Sequence, residues 1–290
     1  VSELGQLLRR VRRRVKDFPV RVMIQDNPLT PGDTTISLRV GDAPRFRDSG
    51  IPCCFDDGTD ELIITVDPAD STANTLQVDR AQDGTTATEH EMDTPLLIRP
   101  RFTNAEILDR LTSIVESELF PHVWLAGESS IEYQAANEYY DPIVPDIEEI
   151  DYAYQLSGGF RYPLHVDFLS RTLSDDANFP NGAITILGAE ADATTIYFAY
   201  KARPTIGSLS GALENLAVMA TVADMVMAEE ASHVGGDTSA VQRRVEDGSR
   251  LRAGAVLWDR FEAARAQERI RLQSEEQERR AQIRGVGRVR

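Results

Sequence analysis

Apolar residues recur at helical spacing near both ends of this chain and around residue 110, and at every second position in the stretches between. Leu4, Leu7, Leu8, Val11 and Val15 fall on one face of a segment whose other face is arginine. This spacing predicts a helix over residues 2–17, ended by Asp17-Phe18-Pro19. From Val20 to Pro100 the period becomes two. VRVMI, TTISLRV, ELIITV, NTLQVDR and TPLLIRP are short β-branched runs separated by turn-forming clusters, which predicts about five strands in a small antiparallel sandwich or barrel.

Thr103 followed by Glu106 is a capping box, and Ile107, Leu108, Leu111, Ile114, Val115 and Leu119 supply the buried face of the helix it opens, which Pro121 closes. Strand-like runs return over residues 122–207: SSIEYQ, IDYAYQL, LHVDFLS, GAITILG and TTIYFAYKA. Helices bracket this second β region, so it reads as an insertion between two parts of one helical unit. An alanine-rich helix over Leu213–Glu230 returns to that unit. After Gly235-Gly236, a polar tract from Ser239 to about Ile283 carries one narrow apolar stripe: Val241, Val245, Leu251, Ala255, Trp258, Phe261 and Ile270. As a continuous helix it extends about 65 Å, at about 1.5 Å per residue.

The fold class expected is α+β: a small helical bundle with a long C-terminal helix, plus two small antiparallel β domains. The domains expected are a basic helix over 1–18, a β domain over 19–101, a bundle core from 102–121 and 209–261, an inserted β domain over 122–208, and a charged C-terminal arm over 262–290.

Charge sharpens this division. The net charge is −16, yet residues 1–16 carry six bases against one acid and residues 243–290 carry thirteen arginines against eight acids. Residues 17–242 are left with 12 bases and 38 acids, a balance of −26. An acidic body argues against a nucleic-acid grip, which needs clustered positive charge. The basic ends suit an acidic protein surface better. No long unbroken apolar run predicts a membrane span, and the N-terminal segment lacks the apolar core of a signal peptide, so a soluble protein made in a cytoplasm is expected. Cys53 and Cys54 are adjacent, poor geometry for a disulfide, and read as reduced thiols.

Candidate chemistry is sparse. His90, His122, His165 and His233 show no metal-ligand spacing and read as ordinary surface or half-buried residues. The run from Asp56 to Glu61 departs from a calcium loop, since Gly58 comes too early and the closing Glu is missing, and reads as a turn between strands. No P-loop, GxSxG or GxGxxG occurs, so no catalysis, cofactor or metal is expected. The aromatic, acidic segment from Tyr133 to Tyr154 suits a carbohydrate, and exposure of Tyr139 and Tyr140 would favour that use.

One loop carries more information. In Asp79-Arg80-Ala81-Gln82-Asp83-Gly84-Thr85-Thr86-Ala87-Thr88-Glu89-His90, Asp83-Gly84 is a turn signal and the threonines can bond to the turn backbone. The loop resembles a pattern of tailed-bacteriophage virion proteins: a strand, an R-G-x-x-G-T-x-A-x-x-H-like loop, a short strand, then a helix. Ala81 stands where the first glycine is usual. With the order of elements, the chain resembles the head-to-tail adaptor (connector, neck) proteins of long-tailed phages. That resemblance implies a structural virion protein at the head-tail junction, assembled in the host cytoplasm. It implies a homo-oligomeric ring, typically dodecameric, binding the portal protein on one side and a tail-side stopper or tail terminator on the other, with DNA passing through the lumen and no membrane. A tail-completion, baseplate or carbohydrate-binding tail protein is the alternative. Under the adaptor reading, Leu251, Trp258 and Phe261 anchor the terminal arm, and Arg265, Arg269, Arg279 and Arg280 meet carboxylates of the portal or a neighbouring subunit; packing of Trp258 and Phe261 against the chain's own alanine-rich helix is the alternative. Deleting residues 262–290 is then expected to leave both β domains folded.

Overall fold

A computed structural model describes residues 3–157, 160–170, 177–188, 194–234 and 253–286. The chain is α+β, with two antiparallel sheets, and divides into two units: residues 1–114 with 213–261, and residues 115–212 with 262–290.

In the first unit, helix α1 (Glu3–Val15) precedes six strands: β1 (Val20–Met23), β2 (Thr35–Ser37), β3 (Pro52–Phe55), β4 (Leu62–Thr65), β5 (Thr75–Asp79) and β6 (Pro95–Ile98). They pair in the order β1-β6-β3-β4-β5-β2. The sheet then closes on itself. Ile24 bridges Leu38, Gln25 N–H donates to Ser37 O at 2.8 Å and Arg39 N–H to Met23 O at 3.0 Å. The β region is therefore a barrel, filled by Val22, Ile24, Ile36, Phe55, Ile63 and Leu76 among others. Closure satisfies the backbone groups that an open sheet leaves at its edges.

Strand β3 was not among the expected strands. Its sequence, Pro-Cys-Cys-Phe, has no apolar-polar alternation, because both cysteines are buried within it. Burial pushes the Cys53 thiol up to about 12 and the Cys54 thiol up to about 11, so both stay protonated.

Helix α1 covers the barrel with Leu7, Leu8, Val11 and Val15 buried. Arg9 Nε reaches Asp56 Oδ1 at 2.9 Å, and buried Arg12 pairs with Asp17 and donates to Asn104 Oδ1 at 2.7 Å. Asn104 in turn donates to the carbonyls of Phe55 and Thr59. Helix α2 (Asn104–Ser113) begins at the expected capping box, Thr103 Oγ1 accepting from Glu106 N–H and the Glu106 carboxylate from Thr103 N–H. A π-helical segment, Ile114–Leu119, continues it.

Helix α3 (Gly211–Val234) returns to the first unit, where Glu214 pairs with Arg10, Asp224 with Arg110 and Glu229 with Arg101. Its Gly211–Glu230 stretch is apolar enough by composition to cross a membrane, but Leu216, Ala217, Val218, Ala220, Thr221 and Ala223 are buried inside the protein, as in a core helix. Helix α4 (Ala253–Val286) starts against it, since a Cβ on Gly254 would lie 2.4 Å from Met227 Cγ. The expected helix over 239–252, with Val241, Val245 and Leu251, lies outside the described residues.

The second unit holds β7 (Leu125–Tyr133), β8 (Ile147–Ser157), β9 (Phe160–Leu169), β10 (Ala183–Leu187) and β11 (Thr194–Ala202), in the order β10-β9-β8-β11-β7. Ile131, Ala153, Ile184, Ile186, Ile196 and Phe198 form its core. All these strands were legible as alternating runs. The tract beyond residue 261 belongs to this unit. Arg265 Nη1 donates to Glu118 O at 2.7 Å, Glu276 pairs with Lys201 at 3.1 Å, Arg280 pairs with Asp151 at 3.3 Å, and Leu272 is buried.

Candidate functional site

The loop from Asp79 to His90 is the best-defined polar structure in the first unit. It leaves β5 and makes a tight reversal in which Ala81 (φ 54), Asp83 (φ 53) and Gly84 (φ 77) all take the left-handed conformation. Gly84 does so without strain, whereas Ala81 occupies a conformation that costs a Cβ-bearing residue about 1–2 kcal/mol. Thr85 fixes the exit. Its hydroxyl donates to Gln82 O at 2.7 Å and accepts from Leu62 N–H at 3.1 Å.

Beneath the loop sits a buried ionic cluster. Arg80 donates Nε to Glu61 Oε1 and Nη2 to Glu61 Oε2, both at 2.7 Å, and its guanidinium also reaches the carbonyls of Thr30 and Thr88. His90 places Nε2 at 2.9 Å from Glu61 Oε2 and Nδ1 at 2.6 Å from Asp57 Oδ2. Its ring stacks on Phe55 at 3.5 Å, and its backbone pairs with Leu29. His90 is fully buried, which corrects the expectation of a surface or half-buried residue. Of the others, His165 is exposed and His122 half-buried.

The protonation state follows from the geometry. A neutral imidazole has one N–H and so serves only one carboxylate. Carboxylates on both nitrogens call for imidazolium. Burial works against the charged form of His90, yet the hydrogen bonds and charges of Asp57 and Glu61 outweigh it, and its pKa is raised. Burial likewise opposes ionised Glu61, but His90, Arg80 and the Thr88 N–H bring its pKa down to about 2.

Thr88 Oγ1 lies 3.3 Å from His90 Nε2, so Thr88, His90 and Asp57 stand in the order of a hydrolytic triad. The resemblance ends at the proton. An imidazolium held by Glu61 has no lone pair with which to take the Thr88 hydroxyl hydrogen. The cluster therefore locks three connections of the barrel together: the turn from Asp57 to Glu61, the Arg80–His90 loop and the Leu29–Thr30 segment. A groove of about 440 Å³ beside it is lined by Thr59, Asp60, Thr88, Leu108 and Asp109, among others. Among the described residues, no group of His, Cys, Asp and Glu side chains is arranged to hold a metal ion.

The residues expected to meet a partner are scattered in environment. Leu251 lies outside the described residues. Trp258 is half-buried, its ring edge-on to Phe261 with centroids 5.2 Å apart, and Phe261 is fully buried. Arg265 and Arg280 are engaged with Glu118, Asp151 and Glu276 of their own unit. Arg279 is half-buried near Tyr152, and Arg269 is exposed. Tyr139 is exposed, whereas Tyr140 is buried with its hydroxyl donating to Gln134 O at 2.6 Å. No flat pair of exposed tyrosines is thus available to a sugar at these positions.

Asp57, Glu61 and Arg80 went unnoticed in the sequence as partners of His90. The one available signal was that all four sit in or beside the two turns already singled out. Compared with known proteins, the chain matches no family model and no curated sequence.

Proposed function

We propose that this chain is a structural virion protein, a head-to-tail adaptor that forms a ring beneath the portal of a long-tailed phage and joins capsid to tail, with DNA passing through the lumen. The observation that carries the reading is the loop from Arg80 to His90. Every side chain it shares with the virion-protein pattern and that makes a polar contact (Arg80, Thr85 and His90) bonds back to the barrel, and the loop leads through β6 into the capped helix α2. Such a loop is built for rigidity, as suits a protein that bears load and performs no chemistry.

In this reading α1, α2, α3 and the first turns of α4 are the small helical bundle, and α4 is the long helix of the adaptor. Ring assembly uses two different faces of each subunit, repeated by rotation until the ring closes. Exposed Arg269 and half-buried Trp258 and Arg279 are the remaining α4 positions for portal contact. Mixing the purified chain with a candidate portal tests this by mass measurement and projection imaging. A twelve-fold ring that forms on the portal is expected. A monomer indifferent to the portal overturns the reading and favours a tail protein.

A further inference from the structure

Two exposed apolar patches of opposite charge lie on different units. At one end of the barrel, Phe18, Val20 and Val40 are 74%, 47% and 86% exposed. The Arg39 N–H bond to Met23 O sets Val40 beside β1, the strand that Phe18 and Val20 lead into and begin. Arg13, Arg14, Lys16 and Arg39 around them are exposed, and none forms an ion pair with a described residue. This is an unusual concentration of unpaired positive charge in a chain of net charge −16.

The second patch is the loop between β7 and β8. Its residues 134–146 contain three acids, Glu138, Asp141 and Asp146, and no base. At the loop's tip, Tyr139 is 47% and Ile143 74% exposed, and the Tyr139 ring is braced edge-on by Phe179. Ile143 takes φ 64, held there by its N–H bond to Asp141 Oδ1 at 2.7 Å. A β-branched residue in the left-handed region is a true backbone outlier. Here the strain presents a large apolar side chain to solvent.

We infer that these patches are the two halves of one heterologous contact: the acidic Tyr139–Ile143 loop of one copy docks on the basic Phe18–Val20–Val40 rim of the next copy of this chain. The inference rests on the proposed ring and names the faces that build it. Opposite charge aligns the two patches and opposes loop-loop and rim-rim pairing, as a head-to-tail repeat requires. The exposed apolar residues on both sides favour a protein over a phosphate backbone as the rim's ligand.

The test joins Ile143→Cys and Val40→Cys in separate full-length chains with a short bis-maleimide. Cys53 and Cys54 are buried and leave the reagent to the new thiols. The mixture is expected to give a crosslinked dimer and each variant alone none. Either variant crosslinking to itself, or a mixture that gives nothing, overturns the inference. In parallel, the combined Arg13→Glu, Arg14→Glu and Arg39→Glu variant is expected to weaken self-association in sedimentation at least about tenfold, with partial recovery when mixed with Glu138→Arg. Unchanged self-association overturns the inference, as does loss of duplex-DNA binding without loss of self-association. A ring on the portal without the crosslink ends this inference and leaves the adaptor reading standing. The crosslink without portal binding does the reverse.

Discussion

Glu61 and Arg80 face each other through two parallel hydrogen bonds of 2.7 Å, with side chains 0% and 5% exposed. A buried forked pair is costly to break, because the partner left behind keeps its charge and loses its compensation. Arg80→Ala should lower the stability of the first unit by about 3–5 kcal/mol. Arg80→Lys keeps the charge without the planar fork and should recover only part of that loss. Urea unfolding followed by hydrogen exchange in β4 and β5 measures both. A wild-type midpoint for Arg80→Ala would show that the cluster does not hold the loop.

The same cluster gives the barrel a pH window. His90 has its pKa raised above 6.5 by folding, so its contribution is complete below that value and is lost as pH rises through the folded pKa. Glu61 has its pKa lowered from 4.5 to about 2, so its contribution is complete above 4.5 and is lost as pH falls towards 2. Stability from these two groups should therefore be greatest between about pH 4.5 and 6.5 and decline as pH rises from there through the folded pKa of His90. His90→Gln should remove the alkaline decline. A decline that persists unchanged in that variant would assign it to another group.

Ala81 allows a test of whether the loop geometry is imposed. The left-handed conformation costs alanine about 1–2 kcal/mol, while glycine brings about 0.5–1 kcal/mol of extra unfolded-state entropy. Ala81→Gly should thus stabilise the first unit slightly, by up to about 1 kcal/mol, and Ala81→Val should destabilise it. Thermal melts of the two variants should move in opposite directions.

Two glycines of the second unit should respond differently to alanine. At Gly182 (φ 102) a Cβ would lie 2.7 Å from the carbonyl oxygen of Leu169, which cannot move without disturbing β9. At Gly127 the Cβ would meet the end of the Tyr200 side chain at 2.4 Å, and that ring can swing aside. Gly182→Ala should cost about 1–3 kcal/mol and Gly127→Ala less. Equal losses would mean that the Tyr200 ring is as fixed as the backbone.

Removing residues 262–290 should do more than delete an arm. Leu272 is buried, and Lys201 of β11 loses Glu276 while Asp151 of β8 loses Arg280. Amide exchange in β8 and β11 should rise several-fold in a chain ending at Phe261, and the first unit's barrel should keep its protection. Unchanged exchange in both strands would restore the picture of a detached arm.

Strand positions could be read from the sequence because alternation reflects one buried face, a property each strand carries alone. The capping box of Thr103 and Glu106 is local in the same sense. Strand β3 escaped because Cys53 and Cys54 are buried on both sides, which erases alternation. The ionic cluster escaped for a different reason: Asp57, Glu61, Arg80 and His90 become neighbours only when the barrel closes. The charged terminal helix read as a partner-seeking arm because its counter-charges, Glu118 and Asp151, lie more than a hundred residues upstream. Charge pattern along a helix reports its solvation, and only the fold reports its pairing.

Barrel closure at Ile24 and Leu38 bears on how copies of this chain can be crowded together safely. A closed cylinder offers no open ladder of N–H and C=O groups on which a second molecule could template a fibre. The five-stranded sheet does end in open strands, but β7 carries Glu128 and Glu132 and β10 is bridged at Ile184 by Tyr140. Contact between copies through the barrel would thereby fall to side-chain surfaces rather than to main-chain pairing.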